Sequence, residues 1–210
     1  SAIVTWYDLK KTVDITVNEQ RFINVWVQPS KYYKTFVKDG YVDCGDTEYI
    51  SSSPATDMLY ARQLCNSKEK LETVRTLIEG TEDRVIIFYN FNCELELLQQ
   101  LVQKLKRPIS YVNGSVKNLN CYNNNSDSVT LVQYQSGSSG VNLQKASKMI
   151  YYSPPIKSDF FEQSKKRIHR IGQDNKCTYW KLITNDSIEQ RIYKTLAKKQ
   201  DYTEELFKHE

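Results

Sequence analysis

From residue 67 onward the apolar positions alternate between helical and strand spacing. Ser67 precedes Leu71, Val74, Leu77 and Ile78 at helix period, with Gly80 placed to close that helix. Arg84 to Tyr89 reads as a short, all-apolar strand buried on both faces. Asn92 opens a helix carrying Leu95, Leu98, Leu101, Val102 and Leu105, which stops before Pro108. Ile109 to Val112 is a second strand, ended by Asn113-Gly114, and the asparagine run Asn123 to Asn125 reads as a loop. Val129 to Tyr134 and Lys148 to Tyr152 are further strands, separated by the Ser/Gly-rich stretch Ser136 to Gly140. A helix is expected from about Ser158 to Arg170, and Cys177 to Thr184 is the fifth strand. Asp186-Ser187-Ile188-Glu189 looks like a capping box opening a last helix striped by Ile188, Ile192 and Leu196. Such alternation predicts an α/β fold, a parallel sheet with helices on both faces joined by right-handed crossovers.

The first 66 residues follow another pattern. Val13 to Val17 and Phe22 to Val27 alternate apolar with polar, as half-exposed strands do. Ser30 and the stripe Tyr32, Tyr33, Phe36 and Val37 predict a short helix closed by Gly40. Ser53-Pro54 begins another, with Met58, Leu59 and Leu64 inward. This part is expected to be an appended α+β segment without a sizeable core of its own. The resulting organisation is residues 1–66, 67–186 and a C-terminal helix over 187–210.

Composition narrows the class only modestly. The 210 residues, 40% hydrophobic and 26% charged, describe an ordinary soluble globular protein large enough for one core and an appendage. A net charge of +4 is spread along the chain, so local clusters matter more than the total. The five cysteines form no Cys-x-x-Cys pair and only two histidines are present, which argues against a zinc or other metal site and for a reducing compartment. The longest apolar run, Val85 to Tyr89, is far short of a membrane span, and no membrane partner is expected. A start at Ser1-Ala2 suggests a tag-cleavage scar on an excised fragment.

The densest chemistry lies between Gln163 and Gln173. On a helix, Gln163, Arg167 and Arg170 would share one face. Arginine cannot shed its charge and presents a planar fork of donors suited to a polyphosphate. Two of them one turn apart repel unless an anion sits between; a solvated cationic face is the plainer alternative. The second cluster, Gln135 to Gln144, follows a strand end and is built from small residues that let a phosphate or partner approach the backbone.

The spacing Gln163-x-x-x-Arg167-x-x-Arg170-Ile-Gly-Gln resembles motif VI of superfamily-two ATPases, specifically the Swi/Snf-type DNA helicases and translocases. Gln135 to Gln144 resembles their motif V, with Ser138 where the family pattern has a second glycine. Arg84 to Phe91 resembles motif IV, and Tyr111 to Ser115 the strand that follows it. The resemblance covers residues 67–200 well and 20–66 more loosely, through Ser30 and Tyr33. No glycine precedes a lysine in a phosphate-cradling loop and no Asp-Glu dipeptide occurs, so the chain looks like the second, C-terminal RecA-like lobe of a two-lobed motor.

The resemblance implies a set of roles. Arg170 would be the arginine finger and Arg167 would share the γ-phosphate charge, with Gln163 orienting that face. Gly140 and Asn142 would couple the ATP cleft to the nucleic-acid track. Donors near Asn90, Phe91, Gly114, Ser115 and Ser136 would touch backbone phosphates of DNA without reading sequence. ATP and Mg²⁺ would be held mainly by an N-terminal RecA-like lobe, so this chain alone should not hydrolyse ATP. His169 reads as a packing residue, most tyrosines as core, and Lys198-Lys199 as a solvated face or a backbone contact.

Two other readings stand beside this one: a lobe of a DEAD-box-like RNA helicase, whose motif VI also contains His-Arg-Ile-Gly, and a non-catalytic nucleic-acid-binding adaptor. Gln173 and Asp174 stand where the DEAD-box pattern has arginines, which favours DNA. Small size leans towards a bacterial or phage source, with a cytoplasmic, nucleoid-associated location.

Overall fold

The computed structural model describes residues 18–137 and 140–210. The expected strand Val13 to Val17 and the departure at Ser138 lie outside them. Seven strands form one sheet in the order β1-β9-β8-β4-β7-β5-β6. They are β1 (Gln20–Val27), β4 (Val85–Tyr89), β5 (Ile109–Val112), β6 (Lys117–Asn118), β7 (Val129–Gln133), β8 (Lys148–Tyr151) and β9 (Cys177–Thr184). All neighbours run parallel except β5 with β6. A separate antiparallel hairpin pairs β2 (Tyr41–Asp43) with β3 (Glu48–Ile50).

Strand β4 is buried at every position, as its unbroken Val-Ile-Ile-Phe-Tyr run requires of a central parallel strand. The two-residue period divides it between two cores. Val85, Ile87 and Tyr89 join Leu98, Leu101 and Val102 of helix α4 (Asn92–Lys104) and Val74 and Ile78 of α3 (Lys68–Glu79) on one face. Ile86 and Phe88 meet Ala61 and Leu64 of α2 (Pro54–Leu64), Phe161 of α7 (Ser158–Lys165) and Ile188, Ile192 and Leu196 of α8 (Ile188–Ala197) on the other. From β4 the chain crosses through α4 towards β5, and from β8 through α7 towards β9 in the opposite direction. Right-handed crossovers in opposite directions put their helices on opposite faces, which is what the two cores show.

Helix ends follow their local chemistry. Ser30, Ser53, Ser67 and Ser187 each accept a backbone N–H at the start of α1 (Lys31–Asp39), α2, α3 and α8. Gly40 closes α1 at φ 71°, a left-handed conformation that favours glycine. The stripes are narrower than expected: Tyr33 and Phe36 are buried, whereas Tyr32, Val37 and Leu59 are exposed.

Three elements differ from expectation. Gln20–Val27 pairs along its whole length with β9, so it is an edge strand of the main sheet and not part of a separate appendage. Its alternating pattern fits an edge strand, which has a neighbour on one side only. Tyr33, Phe36, Val42, Ala61 and Leu64 likewise share a core with the main sheet. The asparagine run is not a loop but the end of a short helix, α5 (Asn120–Asn124). Tyr122 anchors it: the residue is buried, its N–H donates to Ser110 Oγ at 2.8 Å, and its hydroxyl accepts from Lys145 N at 3.0 Å. The third difference is the end of α7.

Candidate functional site

Helix α7 stops at Lys165, so the expected helix to Arg170 is five residues too long. Ser164 is held by Tyr151 at 2.7 Å and donates to the carbonyl of Phe161 at 2.6 Å, while Tyr179 donates to the carbonyl of Lys165 at 2.7 Å. Short bonds from Lys166 N to Gln163 O and from Arg167 N to Ser164 O then tighten the last turn. Gln163 therefore sits exposed on the helix, and Arg167 and Arg170 lie in the turns beyond it. The single helical face proposed for the three residues does not exist.

The two arginines remain electrostatic neighbours. Burial, and then the charge of Arg170, hold the Arg167 guanidinium below the usual arginine range. Arg167 is 8% exposed and its Nε has no hydrogen-bond partner, whereas Arg170 is exposed. A buried donor without an acceptor is costly, and a second cation beside it adds to the cost. An anion entering from solvent would relieve both.

The loop after β7 is fastened to these turns. Leu143 N donates to Arg167 O at 3.0 Å. Buried Gln173 directs its amide nitrogen at three carbonyls, those of Gln144 at 3.0 Å, Ala146 at 2.8 Å and Ile168 at 2.9 Å. Gly172, at φ 92°, brings its backbone so close to Gln144 that an added Cβ would lie 3.1 Å from that side chain's Nε2. Asn142 is exposed and its side-chain Oδ1 accepts from Gln144 N at 3.1 Å, which shapes the loop. Gly140, at φ 85°, is open to solvent. His169 packs as expected: its Nδ1 is bonded to the Gln20 amide and its Nε2 donates to Asn18 O at 2.8 Å. These contacts sit at the N-terminal ends of β1, β8 and β9.

The remaining candidates occupy the opposite, C-terminal edge. Asn90 and Phe91 follow β4, Gly114 and Ser115 form the exposed turn after β5, and Ser136 lies in the helical turn α6 (Tyr134–Gly137) after β7. The donors of Asn90 and Phe91 are already engaged. Both backbone N–H groups, with Ser153 Oγ, donate to Oε1 of buried Glu94 at 2.9, 2.9 and 3.0 Å. The Asn90 amide donates to Ser153 Oγ and Pro154 O, each at 2.8 Å. Burial raises the Glu94 carboxyl, and the Lys70 charge and these donors oppose that shift. Asn90 and Phe91 thus build this edge and have no such donor left for a phosphate.

The crossovers diverge between β4 and β8, and the loops leaving their C-terminal ends line a cavity of about 320 Å³ there. Open α/β sheets bind ligands at such divergences. Its wall includes Arg62, Phe91, Gln133 and Lys157. Sequence reasoning singled out neither cation, since Arg62 stands alone in α2, far in sequence from the loops it joins. It passed over Glu94 as well, although its position three residues after Phe91 is that of an N-terminal helix cap. Among the described residues no group of three or more His, Cys, Asp or Glu side chains could hold a metal ion, and no helix is long and apolar enough to cross a membrane.

Residues 69–172 match the helicase conserved C-terminal domain family. The DNA repair and recombination protein RDH54 of Saccharomyces cerevisiae is 27% identical over 172 residues, 77% of this chain and 17% of the relative. The ATP-dependent helicase FUN30 of the same species is 26% identical over 187 residues, 75% of this chain and 16% of the relative. Human chromatin-remodeling ATPase INO80 is 26% identical over 138 residues, 62% of this chain and 9% of the relative. The chain thus corresponds to less than a fifth of each relative's length, and these relatives are eukaryotic, which lends no support to a bacterial or phage source. A crystal structure of the C-terminal part of the Fun30 ATPase domain superposes with a TM-score of 0.71 at 14% identity, covering 92% of this chain and 96% of that one. That likeness is one of fold. Residues 69–172, a little under half of the chain, thus match the helicase conserved C-terminal domain family, and the chain is similar in sequence to ATP-dependent helicases and in fold to the C-terminal part of the Fun30 ATPase domain.

Proposed function

We propose that this chain is the second motor lobe of an ATP-dependent DNA helicase or translocase. Arg170 acts as the arginine finger towards ATP held mainly by an N-terminal RecA-like lobe of the same protein, and Mg²⁺ belongs to that lobe as well. The observation that carries the reading is Arg167: a buried guanidinium, its Nε unbonded, set beside the exposed cation Arg170. That arrangement fits the terminal phosphates of a nucleotide entering across a lobe interface. Bound ATP supplies the phosphoryl group and its accumulating negative charge. Arg170 and Arg167 neutralise that charge without a proton transfer, a contribution of about 10³ to 10⁵ in rate for an arginine finger. Gln163 is exposed in the last turn of α7, and the Gln173 contacts fix the arginine turns against the loop of Gly140 and Asn142.

Sequence-independent DNA contacts run along the C-terminal edge through Gly114, Ser115 and Ser136, on the frame that Asn90 and Phe91 build. The two sets of residues lie at opposite edges of the same sheet, one before β1, β8 and β9 and the other after β4, β5 and β7. Lobe closure at one end would therefore shift the DNA grip at the other. RDH54 is described as a DNA repair and recombination protein, which favours DNA over RNA as the partner.

The sequence has no Gly-Lys-Ser/Thr loop, so the isolated chain is expected to bind ATP only very weakly and not to hydrolyse it. Calorimetric titration of the chain with Mg-ATP tests this. A dissociation constant in the micromolar range would contradict the division of labour between lobes.

A further inference from the structure

The cavity between β4 and β8 contains a cation in an unusual state. Arg62 of α2 is half-buried, and its guanidinium makes no hydrogen bond or ion pair with any described residue. It lies over the ring of Phe91, with Cζ 4.8 Å from the ring centroid. Aromatic stacking leaves the edge of a guanidinium, and with it the donors, free to meet an anion. Burial lowers its pKa and the charges of Glu94 and Glu189 oppose that shift. Neither carboxylate is bonded to it: Glu94 Oε1 is occupied by three donors, and Glu189 is paired with Lys70. Lys157 also lines the cavity, with Nζ 3.6 Å from the Asp201 carboxylate in a loose, solvent-exposed pair. Such a pair contributes little and yields readily to a competing anion.

The neighbouring donors decide what this pair of cations serves. The backbone N–H groups of Asn90 and Phe91 and the Asn90 amide are engaged within the protein, and the Gln133 amide donates to Asn90 O at 3.1 Å. The positive charge lining this divergence therefore comes from Arg62 and from Lys157 in its loose pair with Asp201, and Arg62 lies outside the matched residues 69–172.

We propose that Arg62 and Lys157 form a seat for one backbone phosphodiester of a DNA strand in the cavity between β4 and β8. The proposal rests on the reading of this chain as a DNA-engaging lobe and adds its charged contacts. A phosphodiester matches the site by charge and by its two free oxygens, one towards the Arg62 fork and one towards the Lys157 ammonium. The contact is blind to base identity.

Fluorescence anisotropy of a labelled single-stranded oligonucleotide, titrated with the whole chain over a series of salt concentrations, tests it. Each phosphate contact contributes about 0.7 to the slope of log affinity against log salt for a single strand. Arg62→Gln and Lys157→Gln should each weaken binding at low salt by about threefold or more and each lower that slope, by about 0.7 at most because the two cations share one phosphate. Lys38→Gln, on exposed α1, should leave the slope unchanged. Lys157 is solvent-exposed, so its variant reports on the seat whether or not Arg62→Gln alters the fold. Wild-type binding with an unchanged slope in the Lys157 variant, or in a folded Arg62 variant, overturns the seat and leaves the DNA reading standing. Absence of wild-type binding even at low salt overturns both.

Discussion

Lys70 donates to both carboxylate oxygens of Glu189 at 2.7 Å, and both side chains are buried. The pair joins α3 to the first turn of α8 across 119 residues of sequence, and Glu189 also accepts from Thr184 N at 3.0 Å. Removing one partner leaves an uncompensated buried charge, which costs about 3–5 kcal/mol, whereas removing both is far less damaging. Lys70→Met should therefore lower the unfolding free energy by about that amount in urea titrations, and Lys70→Met with Glu189→Met should recover most of it. Equal losses for the single and double variants would contradict a tightly coupled pair.

This pair also marks where legibility ended. Glu189 reads from sequence as part of a capping box, yet its carboxylate turns inward to Lys70, and Gln190 Oε1 takes the N–H of Asp186 at 2.9 Å. The features decided by neighbours in sequence were readable: serine caps at 30, 53, 67 and 187, the glycine after α1, and the apolar run of β4. The features decided by distant contacts were not. Helix α7 ends where it does because Tyr151 and Tyr179 reach its last turn from β8 and β9. Arg167 and Arg170 were identified by type and spacing, but their common helical face was an assumption of regularity that these tyrosines remove.

Gln173 was read only as a mark of family type, and the structure makes it the staple between two loops. Gln173→Ala leaves three carbonyls without that donor and should cost about 1–3 kcal/mol, with faster amide hydrogen exchange over residues 140–146. In the two-lobed protein kcat should fall with little change in KM for ATP, since the residue positions the arginine turns and does not touch nucleotide. Unchanged exchange in that loop would remove the positioning role.

Arg167 separates stability from activity. Its buried, partly unbonded guanidinium beside Arg170 favours an anion and not the empty fold. Arg167→Gln should leave the melting temperature of the isolated chain unchanged or slightly raised, while lowering ATPase activity of the two-lobed protein by about 10² or more. A fall in melting temperature beyond about 8 °C would show that Arg167 serves the fold.

Burial raises the phenols of Tyr33, Tyr89 and Tyr202 from 10.0 to about 12. A group that holds its proton more tightly when folded stabilises the fold fully below the unfolded pKa, and that contribution is lost as pH rises through the folded one. Stability should therefore decline between pH 10 and about 12, with tyrosinate absorbance appearing together with loss of helical circular dichroism. Ionisation of all fifteen tyrosines near pH 10 with the fold intact would contradict the burial assignment.

In the proposed motor, Arg170 completes an ATPase site whose other half lies on a separate lobe. Its most direct measurement is DNA-stimulated ATP hydrolysis by the two-lobed protein carrying Arg170→Ala, with folding checked by circular dichroism. A loss of at least about 10²-fold in kcat is expected, with the fold intact. Hydrolysis at near the parental rate in a folded Arg170→Ala protein would contradict the assignment.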